Sequence, residues 1–471
     1  MLRRIPTLIA LALTALLLLV IGSACEQEDP INAPAVEAPL LAPPQVPPAT
    51  LANGQHVVVH LEAIEKEMEI APGVTTTAWT FNGSIPGPMI RVRVGDTVEI
   101  HLKNSPDSTM SHNIDLHAVN GPGGGAGATT VAPGEEKAFS FKATTAGLFA
   151  YHCAAGIVAD HIANGMYGAI LVDPPTGKPG VDKEFYVGQS DVYTADDGKA
   201  GHHDIDSERL LAEDPSYVVF NGNTKALAGN GALHAEAGDK VRIYFVDGGP
   251  NKASSFHVIG EMFDHVWDDG SLESTPRSGI QTVLVPPGGA LITEFKVDVP
   301  GDYKLVDHAI SRVSKGAVGT ISVSGKGDPQ VFRSLSGVSG ANLSSHDMSM
   351  SATPESSPTA AATPSTEPAA SPSPAVAGGA VTIDMSDSVF SQKQITVPAG
   401  SPVTFALKNV GKLPHNMRIA AANGNFDDGQ AAVTSPEIVN AGRSATLTWT
   451  PAGPGTYKFR CDVHPDLMTG T

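Results

Sequence analysis

The side chains of this 471-residue chain best able to do chemistry are its histidines, cysteines and methionines, and they recur in a fixed order. Cys153 is preceded by His112 and followed by His161 and Met166; Cys461 is preceded by His415 and followed by His464 and Met468. Two imidazoles and a thiolate, with a more distant thioether, make the trigonal and weakly axial donor set of a mononuclear electron-transfer copper site. The bland alternative is a buried cysteine with unrelated neighbours, but that gives no reason for the same constellation to occur twice.

Strand parity points to a second kind of site. Successive side chains of a strand leave on opposite faces, so an inward Cys153 makes its neighbour His152 point outward. His117 stands an odd five residues from His112 and leaves from the opposite face to it on a regular strand. His117 and His152 therefore form an exterior imidazole pair, which needs a third ligand from a docked surface to close a metal site. His308 is the candidate, because it follows Asp307, the residue standing where a cysteine is expected six positions after Gly301. A site completed in this way predicts a cyclic oligomer; the alternative is three unrelated surface histidines.

The elements that must position these residues form a threefold repeat. VGDTVEIHLKN from Val94, APGEEKAFSFKAT from Ala132 and AGLFAYHC ending at Cys153 make the first copy. AGDKVRIYFVD, PPGGALITEFKVD and PGDYKLVDH, ending at His308, make the second; AGSPVTFALKN, NAGRSATLTWTPA and GPGTYKFRC, ending at Cys461, make the third. Each piece alternates apolar and polar residues between Gly/Pro turns, as half-buried antiparallel strands do. The expectation is an all-β chain of three Greek-key β-sandwich domains, at residues 55–175, 180–325 and 380–471. A Ser/Thr/Pro/Ala-rich linker at 326–379 cannot bury enough apolar surface to order itself. Its His346, Met348 and Met350 could bind copper weakly, against the simpler reading of a plain linker. Only three residues follow Met468, which leaves little length for a closing strand.

Charge and the N-terminus restrict the setting. The net charge of −19 argues against nucleic acid, whose binding needs clustered cations. Arg3 and Arg4 followed by an apolar run read as a signal peptide over 1–24 and predict export to the periplasm or the outer face of the cell membrane. Cys25, after Ile21-Gly22-Ser23-Ala24, resembles a lipoprotein processing site, so a lipid tether is expected, followed by a Pro-rich spacer over 25–54.

HNIDLH (112–117), YHC (151–153), His161, Met166, SSFHVIGE around His257, LVDH ending at His308 and TFNGSIPGPMIRV from Thr80 together closely resemble the copper-containing nitrite reductases, over residues 55–325. The third repeat resembles plastocyanin-like and azurin-like cupredoxins, in the position they hold in fused variants of that family. The resemblance implies cupredoxin-like domains, with His112, Cys153, His161 and Met166 around a type 1 copper. It implies that His117 and His152, with His308 from a neighbouring subunit of a homotrimer, hold the type 2 copper where nitrite becomes nitric oxide. Asp115 and His257 match the proton-handling pair and Ile259 the apolar residue over the substrate pocket. His415, Cys461, His464 and Met468 would hold a further type 1 copper, making the third domain a tethered carrier fed by an external cupredoxin or cytochrome c. Two rival readings are a two-domain multicopper oxidase, which needs His-X-His pairs that this chain lacks, and a non-enzymatic copper shuttle. His202 and His203 read as a solvated loop, and His56, His60, His101, His234 and His265 show no ligand spacing.

Overall fold

A computed structural model of the chain describes residues 34–49, 52, 54–195, 200–335, 381–386, 389–411, 413–426, 431–465 and 468–471. Cys25 with the export stretch, and the His346, Met348 and Met350 group, lie outside the described residues.

The described residues form six sheets, paired face to face as three sandwiches. In the first, the strand His56–Ala71 turns Val57, Val59, Leu61 and Ala63 inward, and Thr97–Asn104 does the same with Val98, Ile100 and Leu102. The facing sheet runs Ile90–Arg93, Tyr167–Asp173, Gly147–His152 and Asp115–Leu116. Alternation reports which face is buried and not the direction of the neighbouring strand. The sheets are accordingly mixed: in every repeat an early strand pairs in parallel with a later one, His56–Ala71 with Thr97–Asn104, Lys183–Val192 with Lys240–Gly249, and Val381–Ser386 with Val403–Asn409.

Tyr167–Asp173 is buried at all its residues. Its outer face is covered by the second sandwich: Leu148, Ala150, Tyr167, Ala169 and Leu171 pack against Tyr186, Tyr244, Val246 and Ile292. Arg91 pins this seam, its Nε donating to Asp173 at 2.8 Å and its Nη1 to Glu184 of the second sandwich at 3.2 Å. Removing one partner of such a buried pair strands a charge at a cost of about 3–5 kcal/mol. Gly201–His202 is an edge strand beside Val74–Thr75, where a loop was expected. Past Met468, Thr469–Gly470 pairs with Phe459–Arg460, so even this short stretch supplies an edge strand.

Candidate metal centres

The strand Gly147–His152 delivers Cys153 to the interior of the first sandwich, and the helix Val158–Ala163 brings His161 back over it. The Cys153 Sγ lies 3.2 Å from His161 Nδ1 and 3.9 Å from His112 Nδ1, with all three side chains buried. The loop is closed by two backbone bonds, Cys153 N–H to the Met166 carbonyl and Met166 N–H to the His161 carbonyl, and Met166 is buried. Burial opposes ionisation of Cys153, yet the adjacent His161 and His112 rings hold the thiol well below its ordinary range. Burial likewise opposes charging of His112, but Cys153 and Glu65 raise it to about 9.

Two supporting residues escaped the sequence reading. His112 Nε2 donates to Glu65 Oε1 at 3.1 Å, which leaves Nδ1 free to face the thiol. Glu65 continues the inward parity of Val57, Val59, Leu61 and Ala63, and a carboxylate on an apolar face is itself a signal of a buried partner. Asn113 donates its backbone N–H to the Cys153 Sγ at 3.4 Å and accepts from Ala154 N–H at 2.6 Å. The His-Asn dipeptide recurs at 415–416, and its geometry recurs too: Asn416 N–H reaches Cys461 Sγ at 3.4 Å and Asp462 N–H donates to the Asn416 side chain at 2.7 Å.

At the third-domain site, Cys461 Sγ lies 3.9 Å from His415 Nδ1 and 3.7 Å from His464 Nδ1. Cys461 N–H bonds the Met468 carbonyl and Met468 N–H the His464 carbonyl, the same closure over a shorter loop. With His464 farther from the sulfur than its counterpart His161, burial dominates and pushes the Cys461 thiol up to about 11. The second sandwich carries Asp307 at the equivalent place. It is buried and satisfied by Ser255 N–H at 3.0 Å and Arg312 Nη1 at 2.6 Å, which makes the position an ion pair.

On the outer face, Asp115 pairs with His152 across two strands, and Asp115, His117 and His152 bring their ligand atoms within 4.8 Å of one another. The two Nε2 atoms are 3.1 Å apart. His152 Nδ1 donates to the Cys153 carbonyl at 3.0 Å, and the Gly288 backbone hydrogen-bonds the His117 ring. Lost solvation and the His152 ring hold His117 below the ordinary imidazole range. The Gly-rich loop 121–125 closes on Asp115: a Cβ at Gly124, whose φ is 55°, would overlap the carboxylate.

His308 is exposed and does not belong to this group within one chain; its ring stacks edge-on to His257 at 5.4 Å. His257 Nδ1 donates to the Gln281 carbonyl at 2.6 Å, and Ile259 lies half-buried on the same face of the same strand. One chain thus carries two half-sites, Asp115 with His117 and His152 on the first sandwich, and His257, Ile259 and His308 on the second.

The two cysteine sites face each other. A cavity of about 220 Å³ is lined by Asn113, Ala154, Gly156 and His161 on one side and Val463 and His464 on the other. Gly156, at φ 49°, takes a backbone conformation that favours glycine, and a Cβ there would lie in van der Waals contact with both His161 Nε2 and the Val463 carbonyl, at 3.7 Å.

Residues 62–177 match the multicopper oxidase family model and residues 359–471 the cupredoxin-like domain model. The chain is 50% identical over 302 residues to the copper-containing nitrite reductase of Neisseria meningitidis serogroup A, covering 64% of this chain and 78% of that protein. Among solved structures, copper nitrite reductase from Nitrosomonas europaea aligns with a TM-score of 0.52 at 34% identity, over 59% of this chain and 98% of that one. The copper-containing nitrite reductase of Thermus scotoductus SA-01 aligns with a TM-score of 0.54 at 26% identity, over 88% of this chain and 97% of that one. With its cupredoxin-like sandwiches and this degree of identity and coverage, the chain belongs to the copper-containing nitrite reductases.

Proposed function

We propose that the chain reduces nitrite to nitric oxide and water, consuming one electron and two protons, at a type 2 site made of His117, His152 and a neighbouring subunit's His308 in a homotrimer. The donor atoms fit copper: two imidazole Nε2 atoms converge while His152 Nδ1 is held by the Cys153 carbonyl, and two imidazoles with a thiol and a buried methionine form the inner set. Bound there, copper would supply a one-electron carrier at the inner type 1 set of His112, Cys153, His161 and Met166, and a Lewis acid for nitrite at the outer one.

The observation that carries this reading is the shared peptide of His152 and Cys153, which puts one residue in each set. Asp115 lies close enough to the outer imidazoles to hydrogen-bond a substrate oxygen and pass it a proton. His257, oriented by the Gln281 carbonyl, has its Nε2 available for the second proton, and Ile259 excludes water beside it. The third domain, with His415, Cys461, His464 and Met468, acts as a tethered carrier between an external cupredoxin or cytochrome c and the reductase core; its His464 on the same cavity as His161 supports this role. Cys25 anchors the exported protein to the membrane surface by a lipid.

Subunit mixing tests the shared site. His308→Ala and His117→Ala chains should each lose nitric oxide production from nitrite, by hundredfold or more. Reassembled together, about a quarter of their sites regain an intact set, because each variant supplies what the other lacks. Full activity in His308→Ala alone, or no recovery on mixing, would overturn the intersubunit site.

A further inference from the structure

The search beyond these centres leads to the outer face of the first sandwich, where the structure brings together histidines that chain spacing leaves unrelated. His60 on the strand His56–Ala71 stands directly opposite His101 on Thr97–Asn104, their rings 4.7 Å apart, and Glu136 lies on the next strand, opposite Lys103. One ligand atom from each of His60, His101 and Glu136 falls within 4.8 Å of the others. The cluster opens into a surface cavity of about 400 Å³ bounded further by Glu62, Asn82 and Lys103.

We propose that His60, His101 and Glu136 form a separate binding site for a divalent transition-metal cation of the zinc type, distinct from the copper centres. Imidazole and carboxylate donors without a thiolate suit such an ion, and their type matches its borderline character. The surroundings are organised as metal sites are. His101 Nε2 is held by Glu99 Oε1 at 2.7 Å, and Glu99 is itself held by His56 Nε2 through its other oxygen at 2.8 Å. That carboxylate–imidazole arrangement fixes the ring and directs Nδ1 toward Glu136, 3.0 Å away. His60 Nε2 lies 3.5 Å from the exposed Glu37 carboxylate at the edge of the group.

A tetrahedral ion with bonds of about 2.0–2.1 Å holds its ligands roughly 3.4 Å apart, so small rotations of exposed side chains suffice. The backbone is already in register, because the ligands sit on strands joined by continuous pairing. Glu37, Glu62, Glu99 and Glu136 place four carboxylates around the two imidazoles, and Lys103, 3.2 Å from Glu62, is the lysine among the residues lining the cavity, so the local field attracts a cation. Ion pairs account for each histidine singly, His101 with Glu99 and Glu136 and His60 with Glu37, but not for the convergence of both imidazoles and Glu136 on one point.

The test uses copper-loaded full-length protein exposed to zinc and then freed of loose metal by gel filtration, with zinc and copper counted per chain. Wild type is expected to retain one zinc more than either His60→Ala or Glu136→Gln, with copper unchanged in all three. Anomalous diffraction at the zinc edge should place that ion between His60 and His101. Equal zinc in wild type and both variants, or an anomalous peak only at the copper centres, would overturn the proposal. Unchanged copper content certifies that the variants are folded, so a loss of zinc is then read at this site alone.

Discussion

His152 and Cys153 share a peptide bond yet serve opposite faces of one sheet: the Cys153 Sγ lies inside, 3.2 Å from His161 Nδ1, and the His152 Nε2 lies outside, 3.1 Å from His117 Nε2. A single peptide bond therefore joins the two donor sets, and the surrounding groups hold its ends.

Glu65 holds the inner end. Burial works against its charge, but the hydrogen bond from His112 keeps its carboxyl below the ordinary range, so it remains an ionised acceptor. Glu65→Gln should weaken copper retention at the inner site by about ten- to hundredfold, since a ligand's outer partner sets its orientation and basicity. Competition with a chelator, followed through the thiolate–copper absorption, reads this directly. A retention curve identical to wild type would deny Glu65 that role.

Asp115 should matter to the reaction and not to the colour. Asp115→Asn keeps the shape and loses the proton acceptor, so kcat should fall by about a hundredfold or more while the absorption of the inner site stays put. A variant that turns over at the wild-type rate would leave the carboxylate as mere ligand support.

Cys461 separates delivery from chemistry. Cys461→Ala should slow nitrite reduction driven by a protein donor several-fold and leave unchanged the rate with a small artificial reductant that reaches the core unaided. Equal rates in the first assay would remove the third domain from the electron route. Gly156→Val, which places a branched side chain between His161 and the Val463 carbonyl, should imitate the defect.

Glu261 predicts a pH dependence of stability. Burial, with Asp298 and Asp264 nearby, raises its carboxyl from 4.5 to about 8. The folded-state pKa stands above the unfolded one, so the folded form binds the extra proton. This contribution to stability is complete below about pH 4.5 and is lost as pH rises through about 8. Glu261→Gln should therefore melt a few degrees above wild type at pH 9 and match it near pH 4. Thermal scans at the two pH values check it; an offset of equal size at both would show that ionisation is not the cause.

How far the sequence could be read depended on chain distance. Cys153, His161 and Met166 lie within one turn-and-helix segment, so their order alone exposed the inner donor set, and the same order repeated at Cys461. Parity along Gly147–His152 correctly turned His152 away from Cys153, because that strand is regular to its last residue. His112 and His117 are another matter: the strand between them is only Asp115–Leu116, so parity does not govern them, and the fold sets His112 inside and His117 outside. Glu65 was within reach through its inward position, and Asn113 through the repeated His-Asn pair, but neither carries a ligand signature.

What the chain determined by itself was the local grammar: which residues are donors, which alternate, where turns interrupt them, and that this happens three times. Only the tertiary structure decided which distant strands lie side by side. His60 and His101 meet because two strands pair in parallel at one register, and a shift of one residue would send one of them into the core. The Gly288 backbone reaches His117, and His464 reaches the cavity of His161, for the same reason. Register and domain packing are set by the sum of many buried contacts, so no short stretch of sequence contains them.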